Sequence, residues 1–205
     1  MTPRIFISGT GTNVGKTLIS SWLSLHLKAD YFKPIQTGGL LGMDSQTVMQ
    51  LSGAKIHKET YVYEDAVSPH LASKSQIDLD QIKLPASSRL IVEGAGGLLV
   101  PINKKFFMID LIKALNLPVI LVASSLLGTI NHTLLSLEAL AMRNIKVLGI
   151  IVNGEPNQDN CDALEFYGRT KVLAQIPQLN VINKSVLATI EIPQILQQSL
   201  NEYAI

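Results

Sequence analysis

Short apolar runs rich in β-branched residues alternate along the chain with segments whose apolar positions recur at helical spacing. The runs are Arg4–Ser8, Tyr31–Ile35, Arg89–Glu93, Pro118–Ala123 and Lys146–Asn153, each closed by Gly, Pro or Asn. They are apolar at successive positions rather than at alternate ones, as strands covered on both faces must be. Between them, Thr17–Lys28 puts Leu18, Ile19, Trp22, Leu23 and Leu27 on one helical stripe. Ile130–Arg143 does the same with Ile130, Leu134, Leu137, Leu140 and Ala141. Weaker helical patterns cover Asp44–Leu51, Met108–Leu115, Cys161–Thr170 and Ile192–Glu202. The alternation predicts β-α-β units and an α/β fold, a doubly wound, mostly parallel sheet formed by residues 1–205 as one domain. Residues 53–88 break the rhythm. They are polar, carry Tyr61 and Tyr63, and are too long for a plain loop, so they are expected to hold small elements or to cover a site.

Composition narrows the function classes. The 205 residues are 47% apolar and 16% charged, which supplies an ordinary core and excludes disorder for the bulk of the chain. Seventeen Lys and Arg face sixteen Asp and Glu without a block of either sign, so no basic stripe for nucleic acid is present. The most apolar segment, Leu115–Leu127, is too short to span a membrane and is interrupted by Asn116, Pro118, Ser124 and Ser125. The N-terminus lacks the pattern of a secretory signal. Cys161 has no intramolecular partner, stands in a polar stretch and reads as an incidental thiol in a reducing, cytoplasmic setting. His26, His57, His70 and His132 show no metal-ligand spacing, and Gly-x-Ser-x-Gly is absent.

The strongest chemical signal is Gly9-Thr10-Gly11-Thr12-Asn13-Val14-Gly15-Lys16-Thr17, placed between an apolar strand and the first amphipathic helix. In that context it reads as a phosphate-binding loop. Backbone N–H groups from Asn13 to Leu18 converge on anionic oxygens, Lys16 adds a point charge, and the Thr17 hydroxyl can hold Mg²⁺. Five residues separate Gly9 from Gly15, one more than the common spacing, with Thr10 at the usual first-glycine position.

Other residues are placed to serve a triphosphate and its metal. Glu93 ends the run Leu90-Ile91-Val92 and leads into Gly94-Ala95-Gly96-Gly97, small residues that admit phosphate. Asp44 opens a helix and reads equally as an N-cap or a metal ligand. Lys33, followed by Pro34, reads as a snorkelling lysine or as an ammonium aimed at the phosphates. Gly128-Thr129-Ile130-Asn131 starts a helix that is either ordinary or able to receive a second anion.

With these residues in place, the chain closely resembles the dethiobiotin synthetase family. The resemblance runs from the first strand to about Pro177. It is carried by the extended first loop, Tyr31-Phe32-Lys33-Pro34-Ile35-Gln36-Thr37-Gly38, Ser68-Pro69-His70 and Val92-Glu93-Gly94-Ala95-Gly96-Gly97. Leu117-Pro118-Val119-Ile120-Leu121-Val122 and Gly128-Thr129-Ile130-Asn131-His132 complete it. It implies a P-loop fold and a cyclo-ligase that forms dethiobiotin, ADP and phosphate from 7,8-diaminononanoate, CO₂ and MgATP through a carbamate and a carbamic–phosphoric anhydride. It further implies catalytic roles for Lys16 and Lys33, and Mg²⁺ held by Thr17, Asp44 and Glu93. Substrate contacts are implied at Thr12, Thr37 and Gly128 to Asn131. Base recognition is implied at Asn153 and Gly154 and along Ile176-Pro177-Gln178. The family is homodimeric, with the substrate carboxylate received across the subunit interface.

Departures from the family pattern are Gly11 and Asn13, where relatives often carry acids, and Gly154 after Asn153. Three competing readings share the nucleotide domain. A partition or septum-positioning ATPase would carry a second lysine where Gly11 stands. A corrinoid amidotransferase synthetase would need a glutaminase domain. A nucleotide-binding scaffold without chemistry would not need Lys33 and Glu93.

Overall fold

A computed structural model describes residues 4–74 and 76–203. The first half of the chain forms β1 (Arg4–Gly9), α1 (Lys16–Leu27), β2 (Asp30–Phe32), β3 (Ile35–Gln36), α2 (Asp44–Ser52), β4 (Ile56–His57), β5 (Tyr61–Val62) and α3 (Pro69–Ala72). Then follow β6 (Leu90–Gly97), α4 (Met108–Leu115), β7 (Val119–Ser124), α5 (Thr129–Ala141), β8 (Val147–Asn153), α6 (Gln158–Gly168), β9 (Val172–Ile176), α7 (Lys184–Thr189) and α8 (Gln194–Tyr203). Seven strands make one sheet in the order β4-β2-β6-β1-β7-β8-β9, and among the described residues its strands pair in parallel throughout.

Strand alternation assigns the two faces. Ile5, Ile7, Tyr31, Ile91, Ile120 and Ile151 meet Ile19, Trp22 and Leu23 of α1 and Leu187, Leu196 and Leu200 of α7 and α8. Phe6, Phe32, Leu90, Val92 and Val119 turn the other way, onto Met108, Ile109, Leu111 and Ile112 of α4. Leu121, Ile150 and Val152 do likewise against Leu137 of α5 and Leu164 of α6. Both faces are therefore dry, and the parallel sheet needs them so. β1 lies between β6 and β7. The chain leaves β1 for β2 on one side and later crosses from β6 to β7 on the other. The loop after β1 thus sits at the point where strand order reverses, the place where such sheets gather ligands.

Five expectations need correction. The run Tyr31–Ile35 is two strands. Pro34 has no N–H to continue the ladder, and β3 leaves to pair with β5 in a separate two-stranded sheet. The edge strand β9 falls where the apolar pattern predicts none. The eight-residue β6 runs past Glu93 through Gly97, so Glu93 lies inside the strand. It is nevertheless the first residue of β6 beyond its pairing with β2, which ends at Phe32 opposite Val92. Ala141 is exposed, and the buried face of α5 instead carries Thr129 and Thr133 with Leu137 and Leu140. Cys161 lies within α6 and is buried, so the polar stretch around it is one exposed face of a helix. Residues 53–88 do hold small elements: β4, β5 and α3, with Tyr61 and Tyr63 stacked 6.4 Å apart.

Candidate active site

The loop between β1 and α1 is shaped by positions that only particular residues satisfy. A Cβ on Gly9 would lie 2.7 Å from Val14 Cγ2 and 2.9 Å from the Gly11 carbonyl. Gly15 has φ of 98°, and a Cβ there would meet the Asn153 side chain. Asn13 has φ of 60°, and asparagine is one of the few non-glycine residues common in the left-handed region. The residue that departs from the family's acid is therefore suited to its backbone. Lys16 opens α1 and donates from Nζ to the Gly11 carbonyl at 2.8 Å. Burial, with the nearby Lys33 charge adding, pulls its ammonium down to about 8, although Glu93 and Asp44 oppose the shift.

Beside it lies a cluster of two acids, a lysine and two hydroxyls. Lys33 Nζ is 2.7 Å from Asp44 Oδ2 and 3.1 Å from Glu93 Oε1. Lys33 and Glu93 are almost fully buried, whereas Asp44 keeps a third of its side chain exposed. Burial works against the charged ammonium, but Glu93 and Asp44 outweigh it and raise the Lys33 pKa. Burial likewise works against the Asp44 carboxylate, yet Lys33 and hydrogen bonds from Lys33, Thr17 and Gln36 hold it below the usual carboxylate range. Thr17 Oγ1 is 3.0 Å from both Asp44 Oδ1 and Glu93 Oε1, and its single proton can serve one at a time. Removing one partner from a buried pair strands the other and costs about 3–5 kcal/mol. The cluster is thus interdependent.

Two residues that hold this cluster in place, Tyr31 and Gln36, are not among the candidates the sequence offers. The fully buried Tyr31 donates from its hydroxyl to Glu93 Oε2 at 3.0 Å, and burial together with the Glu93 charge keeps that phenol protonated. Strand alternation puts Tyr31 on the same side as Lys33, a signal that was available. Gln36 Oε1 accepts the backbone N–H of Asp44 at 3.2 Å, and its amide donates to the Thr37 carbonyl at 2.7 Å. Met43, not Asp44, is the N-cap of α2, which leaves the Asp44 carboxylate to Lys33 and Thr17.

A cavity of ≈ 390 Å³ opens over these groups. Thr12, Asn13, Gly15, Lys16, Thr17 and Leu18 line it from the loop and α1. Lys33, Gln36, Thr37 and Asp44 close a second side, and Glu93, Ala95 and Gly96 a third. Val14 and Gly94 turn instead to the core, and a Cβ on Gly94 would lie 2.9 Å from Phe6. Asn153 adjoins the loop, its amide 3.2 Å from the Val14 carbonyl, and Gly154 N–H is bonded to the Ile176 carbonyl at 2.9 Å. The Ile176 side chain is buried in the core, so only its backbone faces this corner, whereas Pro177 and Gln178 are exposed. Gly128 to Asn131 lie outside the cavity wall, at the N-terminus of α5.

Among the described residues, no three His, Cys, Asp or Glu side chains are grouped to hold a metal by themselves. Two carboxylates and a hydroxyl, all hard oxygen donors, instead fit the protein's share of a Mg²⁺ site that phosphate and water complete.

A family profile described as an AAA domain matches residues 3–186. The chain is 56% identical over 198 residues to the ATP-dependent dethiobiotin synthetase BioD of Lawsonia intracellularis, covering 95% of this chain and 98% of that one. It is 45% identical over 194 residues to the protein of that name from Paramagnetospirillum magneticum, covering 92% and 95%. Among solved structures, a ParA family ATPase from Chlorobium tepidum superposes with a TM-score of 0.57 at 11% identity, covering 100% of this chain and 98% of that one. The septum site-determining protein MinD with Mg-ADP from Pyrococcus horikoshii gives 0.54 at 19%, covering 100% and 95%. Those two likenesses show the P-loop α/β fold. Sequence identity over nearly the whole chain goes further: the chain belongs to the ATP-dependent dethiobiotin synthetases, ligases of biotin biosynthesis.

Proposed function

We propose that the protein converts 7,8-diaminononanoate, CO₂ and MgATP to dethiobiotin, ADP and phosphate. One amine of the diamine adds to CO₂ and loses a proton, giving a carbamate. A carbamate oxygen takes the γ-phosphoryl group and ADP departs. The second amine attacks the carbonyl carbon of this anhydride, phosphate leaves, and the ureido ring closes as the amine loses its proton. No side chain needs to become covalently attached, so the protein's task is to position the reactants and stabilise their charge.

The observation that carries this reading is the Lys33 ammonium, buried with Asp44 and Glu93 at the mouth of the phosphate loop. Lys33 would hold the carbamate and the transferring phosphoryl group from one side and Lys16 from the other. Thr17, Asp44 and Glu93 would hold Mg²⁺, which when bound would offset the charge that develops on the phosphates. Thr12 and Thr37 line the cavity where the carbamate would lie. Asn153, Gly154 and the turn Ile176-Pro177-Gln178 form the corner next to the loop that suits the base.

We place the substrate carboxylate at Gly128 to Asn131 of a second copy in a homodimer. Support comes from the exposed apolar residues flanking that helix start, with Leu126 73% exposed and Leu127 essentially fully exposed. The lone Cys161 and the lack, among the described residues, of a helix able to cross a membrane accord with a cytoplasmic setting. Mass-spectrometric detection of dethiobiotin, with parallel ADP release, tests the reading. Product should require diamine, bicarbonate and MgATP together. ADP release indifferent to the diamine would overturn it.

A further inference from the structure

The two oxygens of Glu93 face different partners. Oε1 lies 3.0 Å from Thr17 Oγ1 and 3.1 Å from Lys33 Nζ, on the side of the phosphate loop. Oε2 receives the hydroxyl of Tyr31 at 3.0 Å. The tyrosine ring is fully buried in the core shared by Ile5, Ile7 and Ile91, so its hydroxyl has little freedom to go elsewhere. Glu93 itself is 1% exposed, leaving almost no water to compete for either oxygen.

A carboxylate with both oxygens free can swing or clasp a cation with two atoms. Mg²⁺ demands a tight octahedron and is served best by one oxygen presented at a fixed angle. From this pairing we infer that Tyr31 is a positioning residue for the metal: by engaging Oε2, it commits Glu93 to coordinate through Oε1 alone. Lys33 lies two residues along the chain from Tyr31. This short stretch therefore supplies both the group that orients Glu93 and the ammonium that shares its other oxygen. The inference rests on the proposed role of Glu93 as a metal ligand.

Mn²⁺ as the probe, titrated by electron paramagnetic resonance into the full chain with a β,γ-imido analogue of ATP, tests it without turnover. Tyr31→Phe removes one oxygen and keeps the ring. It should weaken Mn²⁺ binding about 10-fold, within the range for loss of a partner of a metal ligand. Metal-free affinity for the analogue should stay within about twofold, and Tyr31→Phe should add nothing in a Glu93→Gln background. A Tyr31→Phe protein that binds Mn²⁺ like the parent, while Glu93→Gln binds it poorly, overturns the inference and leaves the metal site standing. Unchanged binding in Glu93→Gln overturns the metal reading and the role of Tyr31 with it. Should the phenylalanine variant fail to fold, Tyr31→Met, whose flexible side chain adapts to core gaps, carries the same expectations.

Discussion

The phosphate end of the site and the start of α5 are built on opposite terms. Around the loop after β1, each charged side chain of the cluster has a partner inside the chain: Lys33 with Asp44 and Glu93, Lys16 with the Gly11 carbonyl. Before α5, by contrast, Leu126 and Leu127 stand in solvent, with Leu135 and Met142 exposed farther along. One region has already offset the cost of gathering its charges. The other leaves apolar surface uncovered that burial would stabilise by roughly 25 cal/mol per Å². On the proposed reading, phosphoryl chemistry is organised within a single chain, while the substrate's far end is received by the surface of a second copy.

The sharpest way to break the first half of this contrast is Lys33→Ala. Dethiobiotin formation should fall by at least about 10³-fold in kcat, because the lost charge is the one proposed to face the reacting oxygens. Nucleotide binding, followed by fluorescence of a labelled analogue, should stay within a few fold. Normal turnover in that variant would remove Lys33 from the reaction. The second half is tested by Leu127→Asp, which places a charge where a partner copy is proposed to sit. Light scattering should report the mass of one chain rather than two, with activity down about 100-fold. An unchanged mass would put the interface elsewhere.

Lys16 sharpens the electrostatic side. Its folded pKa near 8 means that about half the ammonium groups are unprotonated at pH 8. A bound triphosphate favours the charged form, so binding must draw a proton from solvent. Calorimetry in two buffers of different ionisation enthalpy should give uptake of about half a proton at pH 8 and almost none at pH 6.5, where the lysine is already charged. Release of protons at pH 8 would contradict the sign. The smallest effect belongs to Cys161, buried in α6 with its thiol pushed up by burial and by Asp162 and Glu165. Cys161→Ala should lose about 1 kcal/mol of stability in urea denaturation, the value of a small buried group, and change turnover less than twofold.

The two regions also differ in how far the sequence discloses them. The loop from Gly9 to Thr17 is legible because its glycines, its strand and its helix are contiguous. Lys33 and Glu93 are legible because a charge inside an apolar run needs a reason. Asp44 is ambiguous by itself, since the choice between cap and cation ligand depends on Met43 taking the cap. Tyr31 looks like one more core aromatic, and only the opposition of β2 and β6 brings its hydroxyl to Glu93. Gln36 is hidden for a similar reason, because its partner at the head of α2 is set by the turn between them. Strands of two residues such as β4 lack the length to show a period. In α5 the apolar count favours Ala141, while the turn of the helix buries Thr133.

The bracing of α1 has a consequence for how the protein is made. The Trp22 indole donates to the Ile190 carbonyl at 2.7 Å, and Leu187, Leu196 and Leu200 complete the core beneath α1. Everything these residues cover is synthesised before them. Until α7 and α8 have docked, the phosphate loop is carried by a helix that rests on the strands but lacks the cover of these two. Contacts of such long sequence separation form late and leave apolar surface open meanwhile. Full rigidity of the phosphate loop should therefore arrive only when α7 and α8 have docked, rather than as the loop itself emerges.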